Sequence, residues 1–287
     1  YAIKRDNFIY NNLKSKKIPF YTFKDQVIFE KNEVLKDNGS PYVVFTPYMR
    51  KWKQNLKKNY SVLENNELCN NFHNLDKYNL KEISEYGFEK NISEVINFDV
   101  SKKIIEEYEK KRNFPSLNST SKIGPFLRFG VISIRSLVKH VLKFSNETFL
   151  NELIWREFFM QILFHFPKSS KSSFKSKYDN IKWVNDIKMF EAWKNGKTGF
   201  PIVDAGMNEL NKTGFMHNRV RMITSSFLCK QLLIDWRWGE KYFALKLNDY
   251  EMSSNVGNWQ WASGSGVDAA PYFRIFNPYT QIEKFDK

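Results

Sequence analysis

Beyond about residue 100 the chain carries almost no segment with the two-residue alternation of a strand, and its apolar residues recur at three and four. A chain of that kind must build its core by packing helix on helix. Helices are predicted over 101–112, with Ser101 at the N-cap, and over 128–144, where Val131, Leu137, Val138, Val141 and Leu142 fall at near-helical spacing. A strongly apolar helix is predicted over 149–166. Pro201 suits the first turn of a helix over 201–210 and Gly214 its exit; a long helix over 217–234 follows. Residues 1–50 read as mixed α/β, with a helix over 1–13 and short β-prone runs at 18–23, 26–29 and 41–45. So few strands close no sheet alone, and the sequence begins at Tyr1 inside a polar helical pattern, so the expectation is that an N-terminal portion is missing. Residues 51–97 are rich in Asn, Lys and Glu with weak periodicity, which reads as a long connection holding a short helix or two. The expected architecture is mainly α: the remnant of an α/β, Rossmann-like domain over 1–52, a linker over 53–97 and a large helical domain over 98–287.

Composition narrows the function classes. Hydrophobic residues make up 42% of the 287, enough for a real core, and aromatics 17%. Most of those aromatics fit a large core, but sites that stack planar ligands or bases draw on the same residues. The formal net charge of +14, from 45 Lys+Arg against 31 Asp+Glu, points to a polyanionic partner or to a generally Lys-rich composition. Two cysteines, Cys69 and Cys229, and four histidines, His73, His140, His165 and His217, form no CxxC and no zinc pattern. No metal site is expected, and reduced thiols in a cytoplasmic protein fit best. No apolar run approaches the ~18–20 residues of a membrane span, no signal peptide opens the sequence, and there is no internal repeat.

Four segments can carry chemistry. In Asn151-Glu-Leu-Ile-Trp-Arg-Glu-Phe-Phe159, helical spacing puts Glu152, Trp155 and Arg156 on one face. A carboxylate, a flat aromatic and a guanidinium side by side suit a planar ligand, or equally a surface ion pair beside a half-buried Trp. In Gly214-Phe-Met-His-Asn-Arg-Val-Arg-Met222, Asn218 and Met222 share a face. The amide can pair with a base edge, the thioether gives a polarizable contact, and Arg219 and Arg221 can reach phosphates. Capping and a solvated face explain the same residues. The stretch from Asp249 to Gly266 holds two acids, Asn255, several glycines, and Trp259 and Trp261. It reads as a site where backbone approaches a cofactor or as a tight loop between helices; it holds no GxGxxG after a strand. Finally, 108–122 gathers hydroxyls and cations before a helix, fit for a diphosphate or for a plain polar loop. Their co-occurrence on one basic, aromatic-rich helical domain points to a flavin or nucleotide together with nucleic acid.

The order and wording of these segments resemble the photolyase/cryptochrome family. Matching stretches include Phe45-Thr-Pro-Tyr-Met-Arg-Lys-Trp52, Asn151-Glu-Leu-Ile-Trp-Arg-Glu157, Gly196-Lys-Thr-Gly-Phe-Pro-Ile-Val-Asp-Ala205, Met216-His-Asn-Arg-Val-Arg-Met222, Leu232-Leu-Ile-Asp-Trp-Arg237, Asn258-Trp-Gln-Trp261 and Asp268-Ala-Ala-Pro-Tyr-Phe-Arg-Ile-Phe-Asn-Pro278. The resemblance implies an N-terminal antenna domain, a linker and a helical FAD domain, here without most of the antenna domain and without the last C-terminal helices. It implies that light-excited reduced FAD splits cyclobutane pyrimidine dimers flipped out of DNA, that a folate or deazaflavin serves as antenna in the full-length protein, and that the protein is a monomer in the bacterial cytoplasm, nucleoid-associated in use. By the same resemblance Tyr108 and Thr120, Ser121, Lys122, Ile123 and Gly124 fall on the FAD phosphates; Asp249, Tyr250, Glu251 and Asn255 fall on the flavin and ribose, with Arg221 the partner of Asp249. Glu152, Asn218, Met222, Trp155 and Trp261 fall on the dimer pocket, Glu152 as a neutral acid when buried. DNA contact is implied for Glu152, Leu153, Ile154, Trp155, Arg156, Glu157, Phe158, Phe159, Asn218 and Arg219. Trp259, Trp236 and Trp183 fall on the tryptophan chain that photoreduces FAD. Three positions depart from the family pattern: Gly124 stands for Ser, Glu251 for Asp and Phe215 for Trp.

Within the family, a (6-4) enzyme would need histidines at the lesion, where this sequence has Asn218 and Met222. Plant-type cryptochromes often lack the lesion-binding acid that Glu152 supplies. The wording His217-Asn-Arg-Val-Arg-Met222 resembles the class I cyclobutane-dimer branch more than the DASH type. The alternatives are a blue-light photoreceptor without repair and a non-enzymatic flavin- or DNA-binding module.

Overall fold

The computed structural model describes residues 1–59, 80–89, 96–269, 271 and 273–286. Most of the expected linker over 53–97, with Cys69 and His73, lies outside the described residues. Twelve α-helices occur among the described residues: α1 (Ala2–Ser15), α2 (Phe45–Asn59), α3 (Lys102–Lys111), α4 (Gly124–Arg128), α5 (Ile134–Val141), α6 (Glu147–His165), α7 (Ile187–Lys194), α8 (Pro201–Thr213), α9 (Asn218–Ser226), α10 (Trp236–Lys246), α11 (Met252–Ser263) and α12 (Pro278–Phe285). None is long and apolar enough to cross a membrane.

The helical expectations over 101–112, 149–166 and 201–210 match α3, α6 and α8 to within a few residues. Ser101 sits at the N-cap of α3 but its side chain does not cap; its backbone N–H instead bonds Asp99 Oδ1 at 2.7 Å. Pro201 opens α8 and Gly214, at φ 68°, ends it. The helix expected over 128–144 begins only at Ile134. Gly130 takes φ 69°, a left-handed turn that breaks the chain direction, and Val131 is left exposed. The helix expected over 217–234 runs as α9 into a single π-turn over Phe227–Gln231.

The expected strands are absent among the described residues, where the sole pairing of strand type is the bridge between Leu35 and Pro41. The β-prone runs have no neighbouring strand to complete a ladder. In the 26–29 run two donors are met by a side chain instead: the N–H groups of Ile28 and Phe29 bond the Glu157 carboxylate at 2.7 and 3.0 Å. Ile28, Phe29 and Val34 then bury their side chains with α2 in the same core as α3, α5 and α6. A second core is built by α7–α11 around the fully buried Trp193, Met207, Leu210, Met216 and Ile223. The longest helix, α6, packs on α2, α3, α5 and α11, and α11 also packs on α9 and α10. The two helices therefore join the cores.

Candidate functional site

The segment from Asp249 onward, which also read as a tight loop, is a helix start. Glu251 is the N-cap of α11, its carboxylate accepting from the N–H of Ser253 and of Ser254, each at 2.9 Å. It also accepts from the Ser254 hydroxyl at 2.9 Å and from the Ser253 hydroxyl. The long Glu side chain, where the family pattern has Asp, thus satisfies orphan donors of its own helix. One helical face of α11 then carries Ser254, Asn258 and Trp261.

Two cavities adjoin along that face. The first, of about 600 Å³ including its mouth, is lined among others by Arg221, Asp249, Tyr250, Glu251, Asn255 and Trp259. The second, of about 890 Å³ including its mouth, is lined by Arg112, Glu152, Trp155, Arg156 and Phe159. Asn218, Met222, Ser254, Asn258 and Trp261 border both.

In the first cavity Arg221 grips Asp249 through two bonds, Nη1 to Oδ1 at 3.1 Å and Nη2 to Oδ2 at 2.9 Å. A third bond, Nε to the Met216 carbonyl at 2.7 Å, fixes the guanidinium. Asn255 donates to the carbonyl of Glu240 at 3.1 Å and to its Oε1 at 3.0 Å. Burial raises the Glu240 carboxyl pKa, an effect the Asn255 bond opposes. Burial also raises the Tyr250 phenol, helped by the negative charges of Glu240 and Glu251.

In the second cavity Glu152 pairs with Arg112. It is half-buried rather than enclosed, so the expected buried acid is in fact an ion-pair partner. Arg112 also lies over the Tyr108 ring, 5.4 Å from its centroid. Arg156 donates to the Gln26 carbonyl at 2.7 Å, and burial lowers its pKa. Asn218 Nδ2 lies 3.9 Å from Met222 Sδ, consistent with the shared face. Trp155 lies flat on Phe45, centroids 3.6 Å apart and planes 7° apart.

Asn218 is the first residue of α9, whose N-cap is His217. The ring Nδ1 accepts the Arg219 N–H at 3.1 Å. Burial, then the charges of Arg221, Arg219 and Lys122, push the His217 pKa down to about 4. The ring is therefore neutral near pH 7, and with Nδ1 accepting it carries its proton on Nε2.

Several expected contacts are corrected. Leu153, Ile154, Glu157 and Phe158 are buried, at 7, 0, 2 and 0% exposure, and reach no DNA. A helix shows only part of its circumference to a surface, and these four face the core. Phe159 is also buried but edges the second cavity. Arg219 is turned toward Asn113, Nη2 to Oδ1 at 2.6 Å, with Phe285 4.3 Å from its guanidinium. Tyr108 packs edge-on against Phe149 and is not among the lining residues of either cavity. Lys122 and Asp249 border a small third pocket, and the Ile123 side chain is in the core. Thr120 and Ser121 are half-buried, the Ser121 carbonyl accepting from the Asp99 N–H at 2.9 Å. Gly124 abuts Asp249: a Cβ there would stand 2.9 Å from the Asp249 Cβ and Oδ2.

Trp259 borders the first cavity and is buried, as is Trp236; Trp183 is half-buried against the same core. Trp193, which the sequence reading passed over, meets Trp259 edge-on at 6.1 Å. The sequence reading also missed Arg112, Phe45, Ser254, Asn258 and Glu240. Arg112 lies one helical turn beyond Tyr108, and Asn258 and Ser254 one and two turns before Trp261, so helical spacing alone flags these three once both segments are read as helices.

Residues 149–287 match the family model described as the FAD binding domain of DNA photolyase, and residues 1–66 match the one described as DNA photolyase. The deoxyribodipyrimidine photo-lyase of Alkalihalophilus pseudofirmus is 43% identical over 302 residues, covering 99% of this chain and 63% of that protein. Among solved structures, a bacterial class III photolyase from Agrobacterium tumefaciens superposes with a TM-score of 0.83 at 35% identity, over 99% of this chain and 63% of that one. An archaeal photolyase from Sulfolobus tokodaii, described with two FAD molecules and the implication of a novel light-harvesting cofactor, gives 0.79 at 33%, over 99% and 64%. The chain thus spans less than two thirds of the length of the curated relatives it matches.

Proposed function

Because the chain belongs to the photolyase/cryptochrome family, we propose that it is the FAD-carrying part of a light-driven enzyme that splits cyclobutane pyrimidine dimers in DNA. The observation that carries this reading is the pair of cavities sharing one wall, Asn218, Met222, Ser254, Asn258 and Trp261. One is built for a bound cofactor and the other opens beside it for a flipped dinucleotide.

The residues of the first cavity fit FAD. The Arg221–Asp249 pair and Asn255 present fixed polar groups to it. Bound there, FAD in its reduced, light-excited form would supply the electron that splits the dimer. The chain's own residues do the rest. Arg221 holds Asp249 in place, Glu240 orients the Asn255 amide, and Trp259, Trp236 and the half-buried Trp183 would form the route by which FAD is photoreduced. In the second cavity Glu152 and Asn218 offer hydrogen bonds to base edges, Trp155 and Trp261 offer flat faces for stacking, and Arg112 and Arg156 offer cations to the backbone.

The cyclobutane dimer is preferred over a (6-4) lesion because Asn218 and Met222 stand in the shared wall and, among the described residues, no histidine lines either cavity. The class I assignment rests on that same wording, beside a class III neighbour of the same fold. Residues 1–52 are read as the end of an antenna domain and 53–97 as a linker, with a folate or deazaflavin expected as a second chromophore of the full-length protein; the match of residues 1–66 to the model described as DNA photolyase is in keeping with a photolyase N-terminal part, without fixing that boundary. Residues 28–56 share a core with α6, so this end is docked rather than tethered. A monomer acting on damaged DNA in the cytoplasm completes the reading.

The test is a visible absorption spectrum of the purified protein, then light-dependent loss of thymine dimers from an oligonucleotide. Flavin absorption with repair only in light is expected. Binding without repair under illumination would leave a photoreceptor or a DNA-binding module instead.

A further inference from the structure

A carboxylate is buried on α6 next to Arg156, which lines the second cavity. Glu157 is 2% exposed, and burying a charge is costly unless donors surround it. Four donors do, from two segments far away in sequence. Ile28 N–H reaches Oε2 at 2.7 Å and Phe29 N–H reaches Oε1 at 3.0 Å. On α2, Trp52 Nε1 reaches Oε1 at 2.6 Å and the Tyr48 hydroxyl at 3.5 Å. Tyr48 and Trp52 are one turn apart, and Phe45 begins the same face one turn earlier. The Phe45 ring lies on Trp155 at 3.6 Å, and the Phe158 ring fits edge-on to both, 5.9 Å from Phe45 and 5.6 Å from Trp155. The bonds to Glu157 therefore fix where α2 sits along α6, and α2 fixes the ring behind Trp155.

We propose that Glu157 is a positioning residue for the dimer pocket: by clamping the 28–29 turn and α2 onto α6, it sets Phe45 against Trp155 and so fixes the indole presented to the lesion. The proposal rests on the repair reading for the identity of the ligand, but not for the clamp itself. Packed interiors transmit such shifts because they do not deform continuously, and small misplacements of a binding group are costly.

The test uses protein labelled with 5-fluorotryptophan, the Trp155 resonance being assigned with Trp155→Phe. In Glu157→Gln an amide N–H₂ faces donors, and the fluorine resonance of Trp155 moves while that of Trp259, in the other core, stays. Affinity for an oligonucleotide holding one thymine dimer falls about tenfold, the scale of a partly lost stacking contact, with flavin content unchanged. Phe45→Leu reproduces the loss, and the double variant loses no more than either single one. Should Glu157→Gln fail to fold, Trp52→Phe removes one donor, leaves the carboxylate in place and shifts Trp155 in the same direction. The proposal is overturned if these variants lower the melting temperature yet leave the Trp155 resonance and dimer affinity as they were, or if the Glu157 and Phe45 losses add. A wild-type protein that ignores the dimer would sink the repair reading alone, and the fluorine spectra would still decide the clamp.

Discussion

Gly124 lies so close to Asp249 that a side chain there would press on the aspartate's Cβ, not just on the tip of its carboxylate. Asp249 has little room to yield, because Arg221 holds both of its oxygens. The departure from Ser at this position is thus tied to the placement of Asp249. Gly124→Ser is expected to overpack the contact at a cost of roughly 1–3 kcal/mol and to lower flavin retention at least several-fold. The ratio of visible to ultraviolet absorbance after gel filtration measures it. Full retention would mean that the Arg221–Asp249 pair shifts freely.

Glu152 and Arg112 meet inside the second cavity, and only the second. Glu152→Ala removes a base-edge acceptor and leaves the Arg112 cation without its partner. Affinity for a dimer-containing strand is expected to drop by about 1–3 kcal/mol, the cost of an unpaired polar group in a binding site, with flavin content intact. Titration of a labelled oligonucleotide checks this. Loss of flavin instead would place Glu152 in the wrong cavity.

The helical half of this architecture was legible because α3 and α8 carry their apolar residues at helical spacing, α8 has its ends on Pro201 and Gly214, and α6 is apolar along nearly its whole length. The helix α11 was ambiguous for a physical reason. It is packed by α6 on one side and α9 and α10 on the other, so both sides are buried and no apolar stripe marks it. The same holds within α6, where Glu157 and Arg156 are neighbours in a motif of site residues. Nothing in the spelling says that one turns inward to bond Trp52 and the other borders the cavity. The β-prone run at 26–29 misled because the backbone donors of Ile28 and Phe29 are met by that inward glutamate, a long-range bond that local preference does not contain.

Trp183 is the half-buried member of the tryptophan set, and Trp236 and Trp259 are buried. If electrons enter from the surface through Trp183, Trp183→Phe slows photoreduction of the flavin severely while leaving repair normal after chemical reduction. Absorbance under blue light with an external reductant reads the first, and the dimer assay the second. Unchanged photoreduction would point to another entry, with Trp193 beside Trp259 the next residue to replace.

His217 links pH to the site through a helix cap. Its pKa falls from 6.5 to about 4 on folding, so the unfolded chain binds the proton more readily than the folded one. The stability that neutral His217 contributes is fully present above pH 6.5 and is lost as pH falls from 6.5 toward 4. A displacement of that size corresponds to roughly 3 kcal/mol at the acid end. His217→Asn keeps a side-chain acceptor for the Arg219 N–H and does not titrate, so near pH 7 it is expected to match the wild type within about 1 kcal/mol. Urea melts from pH 7 to 4.5 check the difference. The wild type should lose stability relative to His217→Asn across that range, and parallel curves would show that His217 stays uncharged in both states or charges equally in both. His217 caps the helix that begins at Asn218, so acid loosening of the cap is expected to weaken dimer affinity in the wild type before flavin is lost, and to do so less in His217→Asn.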